Sequence, residues 1–303
     1  IWADLPNSKL TFFSAGSYEL FEKQAPNVQK EIKKEFTIIE EPNDKAIKKS
    51  KKLGYLPTKS KTASVNENRG DFLPSTTQMA IDYLSSRSTN GFFLMVEGGK
   101  IDWACHGNDA ATVFNEVKDM DDAIKVAYEF YKKHPKETLI VVTADHETGG
   151  IVLGTGKYAL NLKALQYQKH SADGLSRRIS ELRKSKGNKV TWEDMKEFLG
   201  EEMGFWKQFP ISWEQEKKLR DEFEQSFVRN KVVFAESMYS KSEPMAARAK
   251  EVMDQISMVG WVSGGHSAGY VPVFAIGAGS QLFGEKIDNT EIPKRIAKAA
   301  GYK

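Results

Sequence analysis

The sequence predicts an α/β fold: a mostly parallel central sheet flanked by helices, interrupted by a helical insertion. Three observations predict it. Strand and helix patterns alternate from the start of the chain, the order that builds a parallel sheet. The runs at 92–95, 138–142 and 271–276 are uncharged and apolar-rich, as strands buried on both faces are. From about residue 160 to 258 these strand patterns disappear and charged, amphipathic helical segments take over. The division is therefore 1–159 as the first part of the α/β core, 160–258 as the helical insertion and 259–303 as the last part of the core.

In order, residues 10–14 read as a strand, 18–34 as a helix, 36–40 as a strand and 44–52 as a helix. The Lys-rich stretch 45–61 reads as a solvated helix and loop. Pro74 suits a helix start, leading into a helix over 77–86 and the apolar run at 92. Val113, Val117, Met120, Ile124, Ala127 and Phe130 recur at helical spacing, so 109–132 should cover one sheet face. In the insertion, Thr191 and Asp194 resemble a capping box opening a helix over 192–199, and 214–227 reads as another helix. Trp192, Phe205, Trp206 and Trp213 are expected to form a small hydrophobic core rather than a ligand-binding face. The insertion is expected to be a peripheral lid or a dimer-facing element.

Composition excludes several classes. With 303 residues the chain can bury a full core, and a net charge of +3 gives no argument for nucleic acid. The single cysteine, Cys105, rules out a disulfide within the chain but leaves the compartment open. No apolar stretch approaches the roughly 20 residues of a membrane span.

The chemistry gathers where apolar runs end. Asp102 and His106 are four apart, so one helical turn puts a carboxylate and an imidazole on one face. Glu97 precedes that turn. The run at 138–142 leads into Asp145 and His146, and His266 lies among glycines just before the run at 271–276. His134 and His170 read as solvated. Asp102, His106 and His266 make a two-histidine, one-carboxylate set, an arrangement that holds catalytic zinc with an open position. Asp145 and His146 begin a second zinc site with only two ligands, and Glu97 is a hard oxygen ligand suited to magnesium.

Glu-Gly-x-x-Ile-Asp-x-x-x-His over 97–106, Thr-Ala-Asp-His-Glu-Thr-Gly-Gly over 143–150, and His266 followed by Val-Pro-Val-Phe-Ala resemble the successive metal-ligand motifs of the alkaline phosphatase family. The end of the chain, Phe283-Gly284-x-x-Ile287-Asp288-Asn289-Thr290-Glu291-Ile292, is also similar to that family. The resemblance spans roughly 55–155 and 255–300. It implies Asp102, His106 and His266 on one zinc, Asp145 and His146 on a second, and Glu97 on magnesium. It further implies phosphate monoester substrates, a phosphoserine intermediate, a periplasmic or secreted location and a homodimer as an expected assembly. Trp103 occupies a position that varies in the family and lies near the phosphate, so it is expected to shape substrate access.

Two family segments are not found here: the Asp-Ser-Ala motif with the serine nucleophile and the Gly-Asp-Gly segment with a bridging aspartate. The expectation is the C-terminal portion of a longer phosphatase, inactive alone. Thr148, Ser263 and Ser267 stand near the motifs, but their positions favour supporting roles. Other readings are a phosphodiesterase or phosphoglycerate mutase of the same superfamily, and a zinc-binding module without catalysis.

Overall fold

The computed structural model describes residues 1–156, 159–187, 189–239 and 241–302. It divides into two compact units, one of residues 1–97 with 118–133 and one of 98–117 with 134–303.

In the first unit, β1 (Phe12–Phe13) leads through α1 (Tyr18–Glu22) and α2 (Pro26–Glu35) to β2 (Thr37–Ile39). From there α3 (Asp44–Lys49) leads to β3 (Leu53–Tyr55), followed by α4 (Phe72–Ser85). β3 lies between β1 and β2 and runs parallel to both. The parallel order read from the sequence is thus present, but its central strand falls inside the stretch expected to be solvated helix and loop. Three residues are too few to show a period. Gly54 marks the place instead: a Cβ there would lie 2.6 Å from Ile38 Cδ1 and from Phe13 Cζ, so only glycine lets the neighbours close over the strand. The single helix expected at 18–34 is two, because Pro26 opens α2 with a residue that has no N–H to continue α1. Leu5, Phe13, Phe21, Ile32, Phe36 and Leu56 form one apolar cluster, and Ile39, Leu53, Tyr55, Tyr83 and Leu84 a second.

The run at 92–95 is not a strand among the described residues. Phe92 and Leu94 pack against the second cluster while Phe93 and Met95 are exposed. The expectation of a strand buried on both faces is corrected: one face is exposed, and apolar character does not supply a ladder partner.

The second unit begins with α5 (Gly99–His106) and the start of α6 (Ala110–Lys133), which passes into the first unit at Lys118. β4 (Leu139–Thr143), β5 (Glu147–Thr148) and β6 (Val152–Leu153) follow, then α7 (Ala172–Ser185), α8 (Trp192–Met203) and α9 (Trp213–Phe223). The chain continues through β7 (Ala235–Glu236), β8 (Lys241–Ser242), α10 (Pro244–Ser257), β9 (Val259–Gly260), β10 (His266–Ser267), β11 (Val273–Gly277) and α11 (Glu291–Ala299). β4 and β11 pair antiparallel over five residues, from Thr143 opposite Val273 to Leu139 opposite Gly277. This corrects the expectation of one mostly parallel central sheet. The described strands form a three-stranded parallel sheet and separate antiparallel pairs, because apolar runs identify strands without fixing direction or partner.

The helical stretch builds a core that also takes in Ala110 and Ala111 of α6 and Val259 of β9. Ile179, Met195, Leu199, Met203, Phe205, Leu219 and Val252 are fully buried and belong to one cluster. Thr191 with Asp194 and Ser212 with Gln215 form reciprocal capping boxes that start α8 and α9. α8 stops at Gly204 in the left-handed conformation, φ 77°. Trp192, Phe205 and Trp206 join this core as expected; Trp213 does not, being 73% exposed at the first turn of α9. No helix among the described residues is long and apolar enough to cross a membrane.

Candidate metal centre

α5 is eight residues long, which puts Asp102 in its first turn and His106 at its last position, one turn apart on the same face. His106 is nearly fully buried, and its Nδ1 lies 2.6 Å from the carbonyl oxygen of Gly264. A carbonyl only accepts, so Nδ1 donates and the neutral ring keeps its lone pair on Nε2. That Nε2 lies 3.0 Å from His266 Nε2 and 3.4 Å from Asp102 Oδ1, and His266 Nε2 lies 3.6 Å from the same oxygen. Two imidazole nitrogens and one carboxylate oxygen thus converge on one point.

β5 and β10 bring in the remaining ligand types. They pair antiparallel with Thr148 opposite His266 and Glu147 opposite Ser267. The His146 ring stacks on His266 at 3.6 Å between centroids. One ligand atom each from Asp102, His146 and His266 all fall within 4.8 Å of one another. Asp145 joins through His146, with Oδ2 3.3 Å from its Nε2. Thr148 Oγ1 donates to Asp102 Oδ1 at 2.6 Å and lies 3.2 Å from His146 Nδ1. Glu97 is the last residue before this unit begins and belongs to the first unit.

Close backbone packing holds the turn after β5. Gly149 has φ 84°, and a Cβ there would come within 2.8 Å of the Trp261 ring and 3.1 Å of the Cys105 carbonyl. Its N–H donates to Gly265 at 2.9 Å, and Val262 and Ser263 both donate to its carbonyl. Glu147 accepts from Ser267 Oγ and from the Gly150 N–H. The Ser267 hydrogen bond foremost, with that from Gly150, holds its carboxyl below the usual range against the opposing effect of burial. Cys105 is on the buried face of α5, and burial, reinforced by the charges of Asp102 and Glu147, pushes its thiol up to about 12. It is a packed apolar group, not a thiolate ligand.

Several supporting residues carry no motif. Lys250 on α10 is buried and donates to the Gly107 carbonyl just after His106. Asp109 accepts from the N–H and hydroxyl of Thr112, from Gln168 and from the Ala172 N–H, tying the start of α6 to α7. The signal that could have found it is the Asn-Asp step before α6, a pair suited to a cap. Tyr239 packs edge-on to His106 at 5.1 Å and stacks on Trp103 at 5.8 Å, while Lys100 lies over the Trp103 ring. Trp103 is thus half exposed beside the cluster, built into an aromatic pair that its sequence neighbours do not announce. His170, read as solvated, is half-buried and pairs with Glu202 at 3.3 Å.

Strand ends and a short helix here present histidines and carboxylates to one point, the kind of donor set that can hold a divalent metal ion. The family model for alkaline phosphatase matches residues 52–302, and the chain belongs to the alkaline phosphatase family. It is 32% identical over 312 residues to alkaline phosphatase 3 of Bacillus subtilis, covering 97% of this chain and 59% of that protein. Against alkaline phosphatase 4 of the same organism it is 29% identical, covering 96% of this chain and 57% of that protein. The chain therefore spans somewhat under three fifths of the length of these curated relatives. Among solved structures, the cold-active alkaline phosphatase of a psychrophilic Shewanella species superposes with a TM-score of 0.75 at 25% identity, over 99% of this chain and 67% of that one. The alkaline phosphatase of the Antarctic bacterium TAB5 gives a TM-score of 0.62 at 26% identity, over 100% of this chain and 64% of that one.

Proposed function

We propose that this chain carries the metal-holding part of a zinc- and magnesium-dependent phosphomonoester hydrolase acting in the periplasm or outside the cell. In this reading Asp102, His106 and His266 hold one zinc, Asp145 and His146 contribute to a second, and Glu97 contributes to a magnesium ion. One observation carries it. Four ligands around zinc at about 2.05 Å stand about 3.3 Å apart at the corners of a tetrahedron, and the three atoms of the first set are separated by 3.0, 3.4 and 3.6 Å. The donor chemistry agrees: two imidazoles and a carboxylate suit zinc, and an isolated glutamate suits magnesium. A variant of the TAB5 enzyme is described with Mg bound.

When bound, such ions supply Lewis acidity and positive charge to the attacking and leaving oxygens of an in-line displacement at phosphorus. The residues here hold and orient. Gly264 fixes the His106 tautomer, Thr148 orients Asp102, and Trp103 borders the approach to the cluster. The engagement of the three hydroxyls near the motifs supports orienting roles for them. Thr148 donates to Asp102, Ser263 to the Gly265 carbonyl and Ser267 to Glu147. The attacking group belongs to a family motif not found in these residues, and phosphate monoesters are the substrate class of the whole protein.

The test is zinc content by elemental analysis after purification without chelator, with p-nitrophenyl phosphate turnover measured in parallel. The parent chain should retain zinc and stay near the uncatalysed rate. His266→Ala should lose most of the metal, because one of three protein ligands is gone. Unchanged zinc in His266→Ala overturns the ligand assignment. Turnover well above the uncatalysed rate, abolished by Ser267→Ala with zinc content unchanged, would instead place the nucleophile within this chain.

A further inference from the structure

We infer that Thr148 is a positioning residue that couples the two metal half-sites through a single hydroxyl. The inference rests on the metal-centre reading above. Thr148 Oγ1 stands 2.6 Å from Asp102 Oδ1, a ligand of the first site, and 3.2 Å from His146 Nδ1, a ligand ring of the second. An ionised carboxylate only accepts, so the hydroxyl proton goes to Asp102. The lone pairs of Oγ1 are then what faces His146, which satisfies this contact by carrying its proton on Nδ1. A neutral ring protonated there has its free lone pair on Nε2. That nitrogen is the one 3.3 Å from Asp145 Oδ2, where the second metal needs it.

One hydroxyl thus aims a carboxylate at one ion and sets the tautomer of a histidine for the other. The backbone holds it in place. Thr148 lies opposite His266 in the β5–β10 pair, and the next residue, Gly149, donates to Gly265 at 2.9 Å. Thr148 therefore touches Asp102 and His146 through its side chain and stands directly across the ladder from His266. Groups that orient metal ligands in this way change metal affinity by about 10–100-fold when removed.

The experiment titrates the metal-free chain with zinc against a chromogenic chelator, for the parent, Thr148→Val and Thr148→Ser. Valine keeps the shape and the β-branch that a strand favours and removes only the hydroxyl's chemistry. Serine keeps the hydroxyl. The expected result is that Thr148→Val weakens zinc at both half-sites by about 10–100-fold, that Thr148→Ser restores both, and that the metal-free melting temperature is the same in all three. Loss at one half-site alone, or no loss, overturns the coupling, and so does a serine variant as weak as the valine one. A second readout needs no variant: nitrogen-15 NMR of the zinc-loaded parent should show His146 protonated on Nδ1, and an Nε2-protonated ring overturns the assignment. Failure of the parent to bind zinc sinks the metal-centre reading itself. A zinc-binding parent with an unaffected valine variant sinks only the role of Thr148.

Discussion

Two regions of the second unit handle apolar sequence in opposite ways. The helices α7 to α10 bury theirs against one another, with Ile179, Met195, Leu199 and Phe205 fully inaccessible. The β4–β11 ribbon leaves Phe274 63% and Ile276 38% exposed. The metal cluster draws on both kinds of support. His106 is anchored on the buried side, fixed by Gly264 and by Lys250 of α10 acting on Gly107. Asp145, beyond the end of β4, has a side chain 86% exposed. Support is thus unequal: His106, Asp102 and His266 converge beside a buried anchor, whereas Asp145 reaches the cluster from an exposed position.

Three measurements sharpen or break this contrast. The largest effect is expected in the helical core, where Phe205→Ala removes a fully buried ring packed against Trp206 and Phe209. It should cost about 3–5 kcal/mol by urea unfolding; a cost near zero would mean that this core is not packed as described. The second tests the buried charge on α10. Burial pushes the Asp254 carboxyl up to about 8, with Lys250 opposing and Asp109 adding to the rise, and Asp254 accepts from Trp261 Nε1. Between about pH 4 and 8 the folded state therefore holds a proton that the unfolded chain has released. Its stabilisation is complete below the ordinary carboxylate range and is lost as pH rises through 8. Stability should therefore fall as pH rises across that window. Asp254→Asn, which keeps an acceptor for Trp261, should flatten the slope; an unchanged profile would assign the proton elsewhere. The smallest effect is expected in the ribbon, where Phe274→Ser should change stability by no more than about 0.5 kcal/mol. A loss above 2 kcal/mol would show that this face is covered in solution, and the contrast would fail.

The parts of the site legible in the sequence were those whose geometry is local. The four-residue step from Asp102 to His106 needs only one helical turn, and the adjacent Asp145 and His146 need only the end of a strand. His266 was legible because glycines and an apolar run flank it. What was not legible depends on partners distant in sequence: the pairing of β4 with β11, the stack of Tyr239 on Trp103, and Lys250 reaching back 143 residues to Gly107. In the fold, βαβ alternation was readable near the start of the chain, whereas β3 was hidden by its brevity. The helices with cap signatures, α8 and α9, were found. α7 and α10 were not delimited, although α10 opens at Glu243, whose side chain accepts from the Met245 and Ala246 N–H groups ahead of Pro244 at the first position.

The burial of Cys105 has a practical consequence for chemical modification. Thiol reagents attack the thiolate, and a buried thiol with a pKa raised to about 12 offers almost none near neutrality. The native chain is therefore silent to maleimides and iodoacetamides while it stays folded. A cysteine introduced on the surface would be its sole reactive thiol, ready for a spin label or fluorophore without first removing the native one. The same silence makes alkylation of Cys105 a direct clock for the opening of α5.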